Sequence, residues 1–373
     1  MAKPLKTDTV TDTLFCETDM VFVAGHVSGQ GVSDGGVRSW ETVPPGIARP
    51  RHPRIPSLPA ASGEISYYIT YISLNMFEGV LPAIITPFKR NPAMGLDVKG
   101  LEQNIGFLLS CGVHGIVPCG STGESATLTL EEHEKVIQIT VDKVNGRIPV
   151  LAGAGSNNTA EAIRLVKAAK DIGADGVLVI SPYYNKPNRS GLIKHYTKLA
   201  DLDIPVVMYN IPKRTGQNLE PDLIAELAAH PNIVGIKEAS ENIGQMSRII
   251  EETQDEDFVL ISGDDSITLP IMALGGVGVI SVAANVDPGR MVAMYNAIKQ
   301  GDYKKALTLH YALSPLFRSM FIDTNPIPVK KAVELLGMAG GPVRLPLDEL
   351  DTKKTGQLKK VLSAIPVKSA EKN

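Results

Sequence analysis

A parallel β-sheet covered by helices and closed into a (β/α)8 barrel (TIM barrel), with additional C-terminal helices, is the fold class this sequence predicts. Eight short apolar runs rich in β-formers recur from Val80 onward, with segments of helical period between them. The runs are near-continuously apolar, as in strands buried on both faces. A third observation disfavours the open doubly wound sheet. The turn after the first run, TPFKRNPAMGLD, lacks the glycine-rich phosphate loop such a sheet would carry there.

Residues 1–76 differ from the rest. They are rich in Pro, Gly, Ser and Thr, as in VPPGIARPRHPRIPSLPAASG, and show no sustained apolar period, so a disordered N-terminal extension is expected. Neither a signal peptide nor a transit peptide fits, because the apolar core at Met20–Ala24 is short and acids surround it. Met76 is a candidate start, since organised sequence begins at Phe77.

The eight runs are Val80–Thr86, Gly115–Cys119, Pro149–Ala154, Gly176–Ser181, Pro205–Asn210, Ile233–Glu238, Phe258–Ser262 and Gly278–Ala283. Between them Ala162, Leu165, Val166, Ala169 and Ile172 trace one helical stripe, with Arg164, Lys167 and Lys170 off it. Glycines close several helices, as in DIGADG and ALGGVG. The uncharged run Leu269–Val286 contains Pro270, Gly275, Gly276 and Gly278, and so reads as helix, turn and buried strand rather than a membrane span. The barrel is assigned to 77–300, and 301–373 to a C-terminal helical region.

A net charge of −3 with no basic run argues against nucleic-acid binding. Three cysteines without a CxxC pair suit a reducing cytoplasm, and the seven scattered histidines form no ligand pair, so no metal site is expected.

Barrels of this kind place reactive groups at the C-terminal strand ends. Those ends carry Ser121 and Thr122 in CGSTGES, Tyr183 and Tyr184, Tyr209 with Arg214 shortly after, Lys237, and Asp264 with Asp265. Lys237 sits inside an apolar strand, IVGIKEAS, sharing a face with Gly235 and Ala239, while Glu238 points to the other face. Small neighbours leave room beside the amine. Burial would lower its pKa and free it to attack a carbonyl. The ordinary alternative is a lysine paired to a carboxylate or reaching solvent. Tyr209 and Tyr184 suit proton transfer, or plain packing at a strand end. Ser121 and Thr122 lie in a turn whose N–H groups suit a carboxylate, although such turns also arise for conformational reasons. Arg214 suits bidentate carboxylate capture, or solvent. Asp264 and Asp265 argue against phosphate recognition near the last strands.

GSTGESATL, AGAGSNNTAEA, SPYYNKP, YNIPKRTG, GIKEAS, SGDD, GVISVAAN and NPIPVKKA, in that order, resemble the dihydrodipicolinate synthase family from about Phe77 into the C-terminal helices. The resemblance implies a homotetramer, a dimer of dimers, that condenses pyruvate with L-aspartate 4-semialdehyde on the route to diaminopimelate and lysine, without metal or organic cofactor. It implies a Schiff base on Lys237 and proton transfer by Tyr209. Ser121 and Tyr184 complete a relay, with Tyr184 from the neighbouring subunit. Thr122 and the Ile280 backbone hold pyruvate, and Arg214 holds the semialdehyde carboxylate. Ser121 stands where many members have threonine. A feedback site for L-lysine maps to Ser125, Ala126, Leu130, His133, Asn157, Glu161 and Tyr183, with Leu130 replacing a histidine common in sensitive enzymes.

N-acetylneuraminate lyase and the 2-keto-3-deoxy sugar acid aldolases share the lysine, the tyrosine and a similar GSTGE turn. Arg214 within KRTG and the second tyrosine of YYN favour the synthase, because an arginine suits a short substrate with a distal carboxylate. A catalytically silent barrel would be expected to lack Lys237 or Tyr209, and both are present.

Overall fold

Seven strands form one all-parallel sheet: β1 (Gly79–Pro82), β2 (Leu151–Gly153), β3 (Gly176–Ile180), β4 (Val206–Asn210), β5 (Ile233–Glu238), β6 (Val259–Ser262) and β7 (Gly278–Ser281). Their order, β1-β7-β6-β5-β4-β3-β2, keeps sequence neighbours side by side and returns the last strand to the first. The computed structural model of the chain describes residues 76–365. The expectations for the N-terminal extension, apart from Met76, and for Cys16 lie outside those residues.

The eighth expected strand, Gly115–Cys119, is not a regular strand but occupies the eighth place. It makes parallel bridges on both sides, Ala83 with Val117 and Ile116 with Val150. Val117 N–H donates to the Pro82 carbonyl and Leu151 N–H to that of Ile116, each at 2.9 Å. It therefore spans from β1 to β2 and joins the sheet's two edges. Proline at 82, 118 and 149 explains the irregularity, since each removes a ladder donor where the strands meet.

Twelve helices are described: α1 (Val98–Ser110), α2 (Leu130–Val144), α3 (Thr159–Ile172), α4 (Arg189–Ala200), α5 (Pro212–Thr215), α6 (Pro221–Ala228), α7 (Ile243–Glu252), α8 (Thr268–Ala273), α9 (Pro288–Lys299), α10 (Tyr303–Ser319), α11 (Ile327–Leu335) and α12 (Thr352–Leu362). Thr129 and Glu132 form a capping box on α2. The predicted stripe of α3 buries Ala162, Leu165, Val166 and Ala169, and Gly173 caps its end. Leu269–Val286 folds as most of α8, a turn and β7, as expected. Among the described residues no helix is long and apolar enough to cross a membrane.

Strand alternation sorts the core into two layers. Val177, Val179, Val206, Met208, Ile236 and Leu260 face the helices. Leu81, Val117, Leu151, Leu178, Val207, Tyr209, Ile261 and Ile280 fill the barrel interior. A third cluster, with Met291, Met294, Leu313, Phe317, Val329 and Leu358, packs α9 to α12 against Val80 and Val279 of the barrel. The segment before α11 thereby comes to stand beside the strand ends.

Candidate active site

Tyr209 and Lys237 are register partners on β4 and β5. Tyr209 belongs to the barrel-interior layer, as does Ile261, the partner of Lys237 on β6. The lysine is 6% exposed, and its Nζ lies 4.2 Å from the Tyr209 ring centroid. Burial brings the amine down to about 7; the Asp265 carboxylate opposes the shift and the Arg214 guanidinium adds to it. Burial likewise pushes the Tyr209 phenol up to about 12. Arg214 and a hydrogen bond with Ser121 pull against that rise, and Glu238 adds to it. Near neutral pH the pair is thus a partly free amine beside a protonated phenol.

Glu238 points away, as expected, and accepts from Asn210 Nδ2 at 2.8 Å and the Ser240 N–H at 2.7 Å. The acid that Lys237 senses is instead Asp265, just beyond β6. It is buried, and it accepts from the Ser281 hydroxyl and from the N–H groups of Val282 and Ala283 at 3.1 and 2.9 Å. Burial raises its carboxyl to about 6. One expectation needs correction: Gly235 does not leave space for a ligand. A Cβ there would lie 2.6 Å from the Val259 carbonyl oxygen, so the glycine admits the β6 backbone.

The turn after the bridging segment is tight, with Cys119 at φ +56° and Glu124 at +53°. Gly153 of β2 makes room for it, since a Cβ there would collide with the Cys119 carbonyl. N–H groups of Gly123, Glu124 and Ser125 bond back to Gly120 and Ser121 and are engaged within the turn. Thr122 is buried, and its Oγ1 accepts from Asn325 Nδ2 at 3.0 Å. Arg214, in α5, donates to the Asn325 carbonyl at 2.9 Å. Ile280 lies on β7, buried in the barrel interior.

A cavity of about 470 Å³ opens over these groups. Ser121, Tyr209, Arg214 and Asn325 stand in its wall, and it continues past Ser125, Ala126 and Leu130 to His133, Glu161 and Tyr183. Lys237, Thr122 and Ile280 are not part of that wall; the lysine amine sits over the Tyr209 ring instead. Asn157 is also outside it, and its carbonyl accepts from Asn185 Nδ2 at 2.8 Å. Tyr184, at φ +71° and 89% exposed, stands outside the cavity of its own chain.

Two features escaped the sequence reading. Asn325 reaches the site from the C-terminal region, and Lys330 of α11 pairs in full burial with Glu124 of the 120–125 turn at 2.5 Å. Their only signal was the family motif NPIPVKKA, which names no contact.

The model of the dihydrodipicolinate synthetase family matches residues 76–365. The 4-hydroxy-tetrahydrodipicolinate synthase of Methanoculleus marisnigri is 74% identical over 287 residues, covering 77% of this chain and 99% of that one. The crystal structure of dihydrodipicolinate synthase from Aquifex aeolicus is 46% identical with a TM-score of 0.75, covering 77% of this chain and 97% of the other. A structure of the enzyme from Cyanidioschyzon merolae with lysine bound is 39% identical, TM-score 0.75, covering 78% and 98%. With a family match over the whole described region and Lys237 set against Tyr209 inside the barrel, the chain belongs to the dihydrodipicolinate synthetase family.

Proposed function

We propose that the chain condenses pyruvate with L-aspartate 4-semialdehyde to 4-hydroxy-tetrahydrodipicolinate, through a Schiff base on Lys237. The observation that carries this is the buried amine over Tyr209, with its pKa near 7. The free amine attacks the pyruvate ketone; water leaves, and the cationic imine draws electrons from the neighbouring methyl. Loss of a methyl proton then gives an enamine, whose carbon bonds to the aldehyde carbon of the second substrate while the aldehyde oxygen takes up a proton to become the hydroxyl. The substrate's own amino group then attacks the restored imine carbon and expels the Lys237 amine, which closes the ring and frees the lysine. Tyr209 suits the proton traffic, because its phenol stays protonated at neutral pH while its hydrogen bond with Ser121 offers a path outward. Thr122 and the Ile280 backbone are assigned to pyruvate, Arg214 to the semialdehyde carboxylate.

Tyr184 is assigned to the site of a neighbouring copy in a homotetramer; its 89% exposure supports that role. The reaction is placed in the cytoplasm, consistent with a cysteine set that forms no CxxC pair. L-lysine is assigned to the far end of the cavity. There the Glu161 carboxylate and a buried His133 Nδ1, unpartnered among the described residues, suit an ammonium and a carboxylate. A flat dose response to millimolar L-lysine would remove that assignment.

Incubation with pyruvate and borohydride, followed by peptide mapping, tests the main reading. Reduction should fix a pyruvate-derived adduct on Lys237. An adduct elsewhere, or none, overturns the mechanism.

A further inference from the structure

Asn325 carries an unused acceptor in the wall of the cavity. Its side chain is 6% exposed, and one end of the amide is engaged: Nδ2 donates to Thr122 Oγ1 at 3.0 Å. The other end, Oδ1, is buried and has no partner among the described residues. Buried amide oxygens are satisfied as a rule, so an orphan on a residue of the cavity wall marks a place where a ligand donor fits. Arg214 fixes where that donor would lie, because its guanidinium bonds to the carbonyl of the same residue at 2.9 Å. A carboxylate held by Arg214 therefore sits next to the Asn325 side chain.

From these contacts we infer that Asn325 is the specificity residue for the amino group of the second substrate, its Oδ1 accepting from the ammonium on the carbon that bears the carboxylate. The inference rests on the proposed condensation. In L-aspartate 4-semialdehyde the carboxylate and ammonium share one carbon, so a clamp for the first brings the second within reach of its neighbour. An ammonium brought close to a guanidinium needs a compensating acceptor, and Oδ1 supplies it. The Nδ2 bond to Thr122 fixes the amide plane and hence the direction of Oδ1. Asn325 thus ties the pyruvate end of the site, through Thr122, to the semialdehyde end, through Arg214.

The test compares the KM for L-aspartate 4-semialdehyde with the inhibition constant of 4-oxobutanoate, its analogue without the amino group, on the same protein. Asn325→Ala should raise the KM about ten- to a hundredfold, as loss of a charge-assisted hydrogen bond does, while the inhibition constant hardly moves. Both constants rising together would reduce Asn325 to a positioning residue for Thr122 and Arg214, and neither rising would remove it from the site; each overturns the inference. Asn325→Asp keeps the acceptor and guards against a folding failure of the alanine variant. It should hold or sharpen the preference for the amino substrate. Loss of that preference would mean that the amide nitrogen faces the ligand, which also overturns it. Borohydride labelling of wild-type Lys237 with pyruvate runs alongside, so failure of the condensation itself is read separately.

Discussion

Burial has brought the Lys237 amine down from the ordinary 10.5 to about 7, so it is partly free near neutral pH. An unshifted lysine would be free to only a few parts in ten thousand, so burial multiplies the nucleophile roughly a thousandfold. Attack needs the neutral amine, whose fraction rises with pH and saturates once pH exceeds the lowered pKa. The pyruvate–borohydride labelling rate should therefore climb close to tenfold per pH unit below about pH 6 and flatten above about pH 8. A rate still climbing at about pH 9.5, as for a solvated lysine, would contradict the burial account. The lysine was visible in the sequence because a charge inside an apolar strand is conspicuous. Its pairing with Tyr209 was not, since register between strands separated by a helix is not written in either strand. Gly235 was misread for the same reason: what a missing side chain admits depends on the neighbouring strand, here the Val259 carbonyl.

Between elements, the 120–125 turn is tied to α11 by ionic contacts under full burial. Lys330 Nζ bonds to Glu124 at 2.5 Å and donates to the Thr86 carbonyl at 2.9 Å and that of Pro342 at 2.6 Å, while lying 4.3 Å from the Phe88 ring centroid. Burial lowers its amine to about 8, against the pull of Glu124. The Arg344 N–H donates to the second Glu124 oxygen at 3.0 Å, and its guanidinium clamps Glu132. Lys330→Met would leave the Glu124 charge buried without its cation, and should destabilise the fold by about 3–5 kcal/mol in urea unfolding. The double variant Glu124→Gln with Lys330→Met should recover much of that loss, because neither charge then remains. A single variant as stable as the wild type would show that the pair does not hold the turn. This contact was illegible in sequence: 206 positions separate its partners. Local signals read better, and the stripe of α3 and the strands β3 to β7 emerged close to their expected bounds. Where prolines interrupt the ladder, at the bridging segment 115–119, the expected strand shrank to two bridges.

At the scale of the whole molecule, one chain supplies Lys237, Tyr209, Ser121, Thr122, Arg214 and Asn325 at a single end of the barrel, but not Tyr184. Tyr184 is 89% exposed and holds φ +71°, a conformation a non-glycine residue seldom adopts. Tyr183, beside it, lines the chain's own cavity instead. Placing Tyr184 in the site of a second copy accounts for both orientations, and a two-fold interface would exchange the two tyrosines reciprocally. Complementation separates this reading from action within one chain. Lys237→Ala and Tyr184→Phe should each be severely impaired alone. When the two chains are co-expressed in equal amounts, half of the pairs that form are mixed. In a mixed pair the Tyr184→Phe chain keeps its own Lys237 and receives an intact tyrosine from its partner, giving one whole site. Activity should return to about a quarter of the wild type. If Tyr184 acts only within its own chain, no combination builds a whole site, and the mixture stays as impaired as its parents.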